Sequence, residues 1–335
     1  MATSSARFYS IIIPLYNRPQ EIKELLESLT RQHYKDFEVF VVDDGSQPPA
    51  KAVVEAFNTR LNLQYIYQSN AGQGMARNAG FAKAKGEYFI VFDSDCLIPE
   101  DYLIKVDEAL TQYEWDAFGG PDRAHPSFTA LQKAISYSMT SAFTTGGIRG
   151  NKKHLGTFHP RSFNMGISRE TWKRTGGFRW KNQSEDMEFS IRMHEMGLKV
   201  GLIPEAAVFH KRRVNFRQFF KQTFSFGQGR VRLHRNFKGQ LKVMHLLPAA
   251  YALGVIILAL YGLGELIFPE LTTRLPVMKG LITAGFSLFL FYKILIFIDS
   301  LRITQSIHIA IISVIAVFVQ FMAYGLGFLK DFFRQ

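Results

Sequence analysis

The chain has 335 residues, with 40 Lys and Arg against 28 Asp and Glu, for a formal charge of +12. That length admits one large domain with an appendix or two modest domains, and the charge calls for an anionic partner: nucleic acid, anionic lipid or a phosphorylated small molecule. The single cysteine, Cys96, excludes any disulfide within the chain and fits a reducing compartment.

Met1–Arg7 is polar and lacks a hydrophobic core of signal-peptide length, so export of the N-terminal part is not expected. Tyr9–Ile13 is an apolar run ending at Pro14 and predicts a buried strand. Ile22, Leu25, Leu26 and Leu29 recur at helical spacing and predict an amphipathic helix over Gln20–Gln32. Phe37–Val42 predicts a second strand, stopping at Asp43-Asp44-Gly45-Ser46. Leu63–Gln68 predicts a third strand, Gly74–Ala84 a helix, and Tyr88–Phe92 a fourth strand ending at Asp93-Ser94-Asp95. Strands alternating with helices at this rhythm imply an α/β fold with a mostly parallel sheet and helices on both faces. Ligands in such sheets bind beyond the carboxyl ends of the strands, where the polar clusters fall. From Gly119 to His210 the pattern is less regular, with Gly-Gly pairs at 119–120, 146–147 and 176–177, and reads as the second half of the same domain.

Between Ala206 and Val243 there is no acidic residue, while ten lysines and arginines run from Lys211 to Lys242. Phe216, Phe219, Phe220, Phe224 and Phe226 interleave with them, as expected of an amphipathic interfacial helix rather than a nucleic-acid groove. Three apolar stretches follow: Leu246–Phe268, Leu281–Ile298 and Ile307–Leu329. A helix needs roughly 20 apolar residues to cross a bilayer. The first and third are long enough; the second is shorter and carries Lys293, which can snorkel toward Asp299. A basic block before apolar spans marks the cytoplasmic side of a membrane protein. Three spans would place Lys330 and Arg334 on the far side, against the positive-inside tendency, whereas one re-entrant or interfacial stretch would leave two spans.

Several clusters carry chemistry. Asp93 and Asp95, two residues apart just past a buried strand, are placed to meet a hard cation and the ribose of a nucleotide; Mg²⁺ or Mn²⁺ uses one or two protein carboxylates with phosphate oxygens completing the shell. Asp43 and Asp44 end another strand, where an acidic side chain either accepts hydrogen bonds from a nucleoside or closes an Asx turn. Asn70–Asn78 is glycine-rich and opens a helix. Arg77 stands where a dinucleotide fingerprint needs its third glycine, and the segment follows the third strand, which excludes a Rossmann dehydrogenase. Glu185-Asp186 begins an amphipathic helix, either complementing its dipole or supplying a general base. His210 reads as a metal or diphosphate ligand or as a structural residue beside a strand, and arginines of the basic block could neutralise a diphosphate.

Taken together, Ile11–Asn17, Val41–Ser46, Ala76–Gly80, Phe92–Asp95, Gly176–Phe178 and Glu185-Asp186 resemble glycosyltransferase family 2 proteins with a GT-A fold, of the membrane-anchored bacterial type. The pieces occur in that family's order over roughly residues 8–240. The resemblance implies that Pro14, Tyr16, Asn17 and Asp44 line the nucleoside site with Arg77 nearby, that Asp93 faces ribose or diphosphate, and that Asp95 binds the divalent metal with His210. It further implies Asp186, beside Glu185, as the catalytic base, Arg213 and Arg230 as diphosphate ligands, and Asn164, Met165 and Gly120 near the sugar and acceptor. The expected reaction is inverting transfer of one sugar from a UDP- or GDP-sugar to a lipid-linked or surface-glycan precursor. Processive family members carry Gln-x-x-Arg-Trp on an interfacial helix. The nearest segment here is Phe226–Arg230, and no tryptophan follows Trp180, so a polysaccharide synthase is the lesser alternative and a non-catalytic nucleotide-binding scaffold a further one. The expected organisation is a GT-A domain over 1–210, a basic interfacial segment over 211–243 and a membrane region over 244–335 with two to three spans. It implies a multi-pass protein of the plasma (inner) membrane with its catalytic domain in the cytoplasm, and no nucleic-acid partner.

Overall fold

The computed structural model describes residues 6–145, 157–268 and 276–334; the Gly146-Gly147 pair lies outside them. Two compact units are present, one of Met1–Pro126 with Gly147–Lys211, the other of Ser127–Gly146 with Arg212–Gln335. The first unit closes at Lys211, and residues 127–146 belong with the C-terminal helices.

The first unit runs β1 (Tyr9–Leu15), α1 (Pro19–Thr30), β2 (Phe37–Asp43), α2 (Lys51–Glu55), β3 (Leu63–Tyr67), α3 (Gln73–Phe81), β4 (Tyr88–Val91), β5 (Cys96–Leu97), α4 (Tyr102–Tyr113), β6 (Ala117–Gly119) and β7 (Asp122–Arg123). Two helices of the second unit, α5 (Ala130–Thr140) and α6 (Ala142–Thr145), intervene. The first unit then resumes with β8 (Met165–Ser168), α7 (Arg169–Thr175), α8 (Glu185–Glu195), β9 (Val200–Leu202) and β10 (Val208–His210).

The main sheet has seven strands in the order β3-β2-β1-β4-β8-β6-β9, and β8 runs antiparallel to both neighbours. The remaining pairs are parallel, which makes the sheet mixed. Strands β1 and β2 are buried along their whole length, because a sheet covered on both faces needs apolar residues on both. Their alternation sorts the core into two layers. Ile11, Ile13, Val39 and Val41 face Ile22, Leu25, Leu26 and Leu29 of α1, while Ile12, Phe40, Phe89 and Val91 join Phe81 of α3 and Phe189 of α8. A second sheet, β5-β10-β7, stands beyond the end of β4 and brings His210 opposite Cys96 in register.

The second unit holds α5 and α6 with α9 (Phe216–Asn236), α10 (Leu247–Ile267), α11 (Pro276–Thr304) and α12 (Ile307–Phe332). Three apolar helical segments, Val243–Ile267, Val277–Thr304 and Ile307–Phe332, are long and apolar enough to cross a membrane. The middle one outruns the expected Leu281–Ile298 because Asp299 stays inside the helix: its carboxylate accepts hydrogen bonds from the Tyr137 hydroxyl (2.6 Å) and Ser141 Oγ (3.0 Å).

Candidate functional site

The carboxyl ends of β1, β2 and β4 gather the polar residues. At the end of β2, Asp43 and Asp44 divide the work. Asp43 accepts hydrogen bonds from the backbone of Ser46 (2.8 Å) and Ala50 (3.0 Å) and from the Tyr65 hydroxyl (2.6 Å). Burial works against the Asp43 carboxylate, yet these donors hold its pKa below the ordinary value. Asp44 turns the other way: Oδ1 accepts from Gln68 Nε2 (2.7 Å) and Ala71 N (2.8 Å), and Oδ2 from Gly72 N (2.9 Å). It thereby fixes the loop that opens α3. Asn17, in a left-handed conformation (φ 52°), accepts from Gln47 N through Oδ1 (2.8 Å), and its own amide donates to Ser46 Oγ (2.8 Å). Pro14 is buried within β1, while Tyr16 is 51% exposed.

Arg77 of α3 is fully buried and ties three segments together. Its guanidinium donates to Glu185 Oε1 (2.8 Å), Asp93 Oδ1 (2.9 Å) and Ser162 Oγ (3.0 Å), and lies 5.2 Å from the centre of the Phe178 ring. Gln73 Nε2 adds a second donor to Glu185 (2.5 Å). Burial pushes the Glu185 carboxyl above its usual range against the pull of Arg77. Next to it, Asp186 is less buried and accepts from Arg161 at 3.3 Å.

Asp95 sits just past the other end of this network. Its Oδ1 lies 3.1 Å from His210 Nε2, its other oxygen pairs with Arg18, and its carbonyl accepts from Lys211 N (3.0 Å). The His210 ring stacks on Phe163 with centroids 5.0 Å apart, and its Nδ1 lies 3.9 Å from Asp122 Oδ2. Cys96 lies close enough to join Asp95 and His210 around an ion. Burial pushes its thiol well up, however, and the sulfur donates to the Phe163 carbonyl (3.6 Å), so it remains a thiol. What is left is one carboxylate oxygen and one imidazole nitrogen. Neighbouring ligands of an octahedral ion with bonds of about 2.1 Å stand about 3.0 Å apart, so the Asp95–His210 spacing fits a divalent cation.

The structure thus ties Arg77 to Asp93 and Glu185, Asp186 to Arg161, and Asp95 to His210, three groups of contacts joined along the chain through Asp93-Ser94-Asp95 and Glu185-Asp186. Asn164 and Met165 point inward. Asn164 is held by the Tyr102 hydroxyl (2.5 Å) and donates to the Ala206 carbonyl (2.8 Å), and Met165 is buried in the core. At Gly120 the backbone runs so close to Ala206 that a Cβ would lie 1.9 Å from its carbonyl oxygen, which fixes glycine there. Arg213 precedes α9, and Arg230 lies within it as a hydrogen-bond partner of Tyr324; both belong to the second unit. Sequence reasoning passed over Arg18, Asp122 and Arg161. Arg18 directly follows the Tyr16-Asn17 pair, and Asp122 follows the Gly119–Pro121 bend, so position relative to a strand end was the available signal.

Residues 10–174 match the family described as Glycosyl transferase family 2. Poly(ribitol-phosphate) beta-N-acetylglucosaminyltransferase TarS of Staphylococcus aureus is 37% identical over 163 residues, 43% of this chain and 28% of that protein. Glycosyltransferase GlyA of Streptococcus pneumoniae is 33% identical over 108 residues, 32% of this chain and 16% of GlyA. The chain therefore spans well under two thirds of these relatives. Mannosyltransferase PcManGT of Pyrobaculum calidifontis, solved with GDP-Man and Mn²⁺, superposes with a TM-score of 0.63 at 19% identity, covering 99% of this chain and 89% of that one. That likeness is one of fold: a GT-A-like mixed sheet followed by long apolar helices. The stretch that matches glycosyl transferase family 2 takes in the carboxylates at the ends of β2 and β4.

Proposed function

We propose that the chain is an inverting glycosyltransferase that moves a single sugar from a UDP- or GDP-sugar to a lipid-linked or surface-glycan precursor at a membrane. The observation that carries the reading is the 3.1 Å pairing of Asp95 with His210, two residues along the chain from Asp93, which Arg77 ties to Glu185 beside Asp186. That PcManGT, of like fold, was solved with GDP-Man and Mn²⁺ supports a nucleotide-sugar and a divalent cation as ligands of this chain.

In this reading Tyr16 covers the base, Pro14, Asn17 and Asp44 shape the loops around the nucleoside, and Asp93 meets the ribose or diphosphate. Asp95 and His210 hold Mg²⁺ or Mn²⁺, which supplies charge stabilisation for the departing diphosphate. Arg77 works from beneath, holding Asp93 and Glu185 in place. Asp186 takes the proton of the acceptor hydroxyl as its oxygen attacks the anomeric carbon from the face opposite the diphosphate. General-base help of this kind contributes roughly 10²–10⁴ in rate. Configuration inverts because no protein nucleophile intervenes. The absence of Gln-x-x-Arg-Trp around Phe226–Arg230 supports single transfer over processive synthesis. The basic run from Lys211 to Lys242 supports a cytoplasmic catalytic unit at the inner membrane.

The test is donor hydrolysis and transfer by purified protein in detergent, over a panel of nucleotide-sugars with Mg²⁺ or Mn²⁺. Activity with one donor, lost on chelation and in both Asp95→Ala and Asp186→Asn, is expected. Folded protein that binds no donor would return the scaffold reading to first place.

A further inference from the structure

The three apolar helices are not equivalent. The most hydrophobic window of the first is 11% buried and that of the second 6%, but that of the third is 39% buried. What covers the third is the reason. Helix α9 runs alongside α12 in the same direction, at a nearly constant offset. Phe219 packs on Ala316, Gly227 lies against Tyr324 and Val231 packs on Phe328. Gln228 Nε2 donates to Asp331 Oδ1 at 3.0 Å, and Arg235 donates to the carbonyls of Asp331 and Arg334 at 2.6 Å each. The backbones touch: a Cβ on Gly227 would lie 2.1 Å from the Tyr324 carbonyl oxygen, and one on Gly327 2.1 Å from that of Phe224. The pair cannot part without losing this seam.

Helix α9 carries Arg217, Lys221, Arg230, Arg232 and Arg235 and no acidic residue. If residues 316–334 crossed a bilayer, these cations would be carried to membrane depth, where a charged side chain is costly. The part of α12 before Ala316 is nine residues, or about 14 Å at 1.5 Å per residue, half of what a bilayer needs. Its flank is covered as well, since Ile135 and Met139 of α5 pack on Ala316, and Tyr137 on Val317 and Ile296. Protein therefore covers one side of α12, and Ile307, Ile311 and Ile315 on its first turns stay exposed. The first two helices differ. Leu260, Leu263 and Leu266 of α10 and Leu281, Leu288 and Phe291 of α11 stand exposed. Helix α10 is about 32 Å long, and α11 from Val277 to Ile296 about 30 Å, both matching a hydrocarbon core of ~30 Å.

We infer that α10 and α11 alone cross the bilayer, as a hairpin, and that α9 and α12 lie together along the leaflet on the side from which α9 starts. Exposed Arg217, Lys221, Arg235, Lys238, Lys242 and Arg334 then meet the headgroups of an anionic lipid surface. Arg334 and Lys330 fall on the same side as the basic block, as the positive-inside tendency requires. The inference rests on the membrane reading above and names which helices span.

Single cysteines at Asn236→Cys, Thr272→Cys in the segment joining α10 to α11, and Phe333→Cys are labelled with an impermeant maleimide in sealed inverted vesicles. The parent chain, whose Cys96 is buried, serves as the blank. Positions 236 and 333 label directly and 272 only after permeabilisation. Protection of 333 together with 272 overturns the two-span arrangement while keeping the protein in the membrane. Direct labelling of all three overturns the membrane-spanning reading itself. Depth-dependent quenching of a fluorophore at Ile311→Cys, Ile315→Cys and Phe333→Cys gives a second readout. A shallow, level profile is expected, and a profile deepest at Ile315 would refute the inference.

Discussion

Arg77→Met is the sharpest test of how the catalytic unit is held together. The guanidinium is fully buried, and its removal leaves two carboxylates in different circumstances. The Asp93 side chain is 30% exposed and can draw water, whereas that of Glu185 is 3% exposed and keeps only Gln73 as a side-chain donor. Breaking a buried pair by removing one partner costs ~3–5 kcal/mol, because the remaining charge is uncompensated. In a unit of this size that corresponds to a Tm lower by about 6–20 °C. Adding Glu185→Gln removes the stranded charge and should return ~2–3 kcal/mol of the loss, a coupling in the range expected for contacting residues. Denaturation followed by tryptophan fluorescence reads this unit selectively, since Trp115, Trp172 and Trp180 all belong to it. The pH dependence gives a control with a definite sign. Burial raises the folded-state pKa of Glu185, so the penalty in Arg77→Met is present at high pH and shrinks as pH falls through that raised value. A loss below ~1 kcal/mol in the single variant would refute the account, since an average point substitution already costs about that much. So would further destabilisation in the double variant.

Other expectations follow from the same contacts. Asp122→Asn weakens the carboxylate facing His210 Nδ1 and should reduce divalent-ion affinity about 10–100-fold, read by Mn²⁺ titration, with donor-independent stability unchanged. Arg18→Ala frees the second oxygen of Asp95 and should tighten Mn²⁺ binding in the absence of donor; weaker binding would show that Arg18 shapes the site instead of competing for it. Asp186→Asn should lower turnover by about 10²–10⁴ while calorimetry finds donor affinity unchanged. Asp43 has a folded pKa below its unfolded value, so its contribution is complete above about pH 4 and is lost as pH falls through the depressed value; Asp43→Asn should flatten the acid limb of the stability curve.

Much of the catalytic unit could be read from the chain because local pattern and global fold agree there. The runs at Tyr9, Phe37 and Tyr88 are strands since both faces are covered, and each ends in the polar residues that strand ends present. Helical bounds moved only slightly, as with Pro19–Thr30 for the expected Gln20–Gln32. The division of labour between Asp43 and Asp44 was not legible, because it depends on Tyr65, Gln68 and Gly72 from other segments. Nor was the pairing of Arg77 with Glu185, which joins residues more than a hundred positions apart. The excursion at 127–146 had a partial signal. Thr129 and Gln132 form a capping box, and Leu131, Ile135 and Met139 follow at four-residue spacing, so a helix was readable there although its partners were not. The apolar stretch from Ile307 showed the limit of composition. A bilayer and a protein interior select the same residues, and only the neighbours distinguish them.

That excursion bears on how the protein is made. Helix α5 emerges from the ribosome early, yet Ala316 and Val317, against which Ile135, Met139 and Tyr137 pack, come more than 170 residues later. At 5–20 residues per second the delay is roughly 10–35 s. For that interval the α5 stripe has none of its final neighbours from α12, and residues 147–211 must complete the sheet around a segment that does not belong to it. Part of the second unit is therefore synthesised inside the first, so the two are not made one after the other. A truncation at Lys211, the obvious way to make a soluble enzyme, would leave the α5 stripe bare, and deleting 127–146 as well is the cut that respects how the chain is laid out.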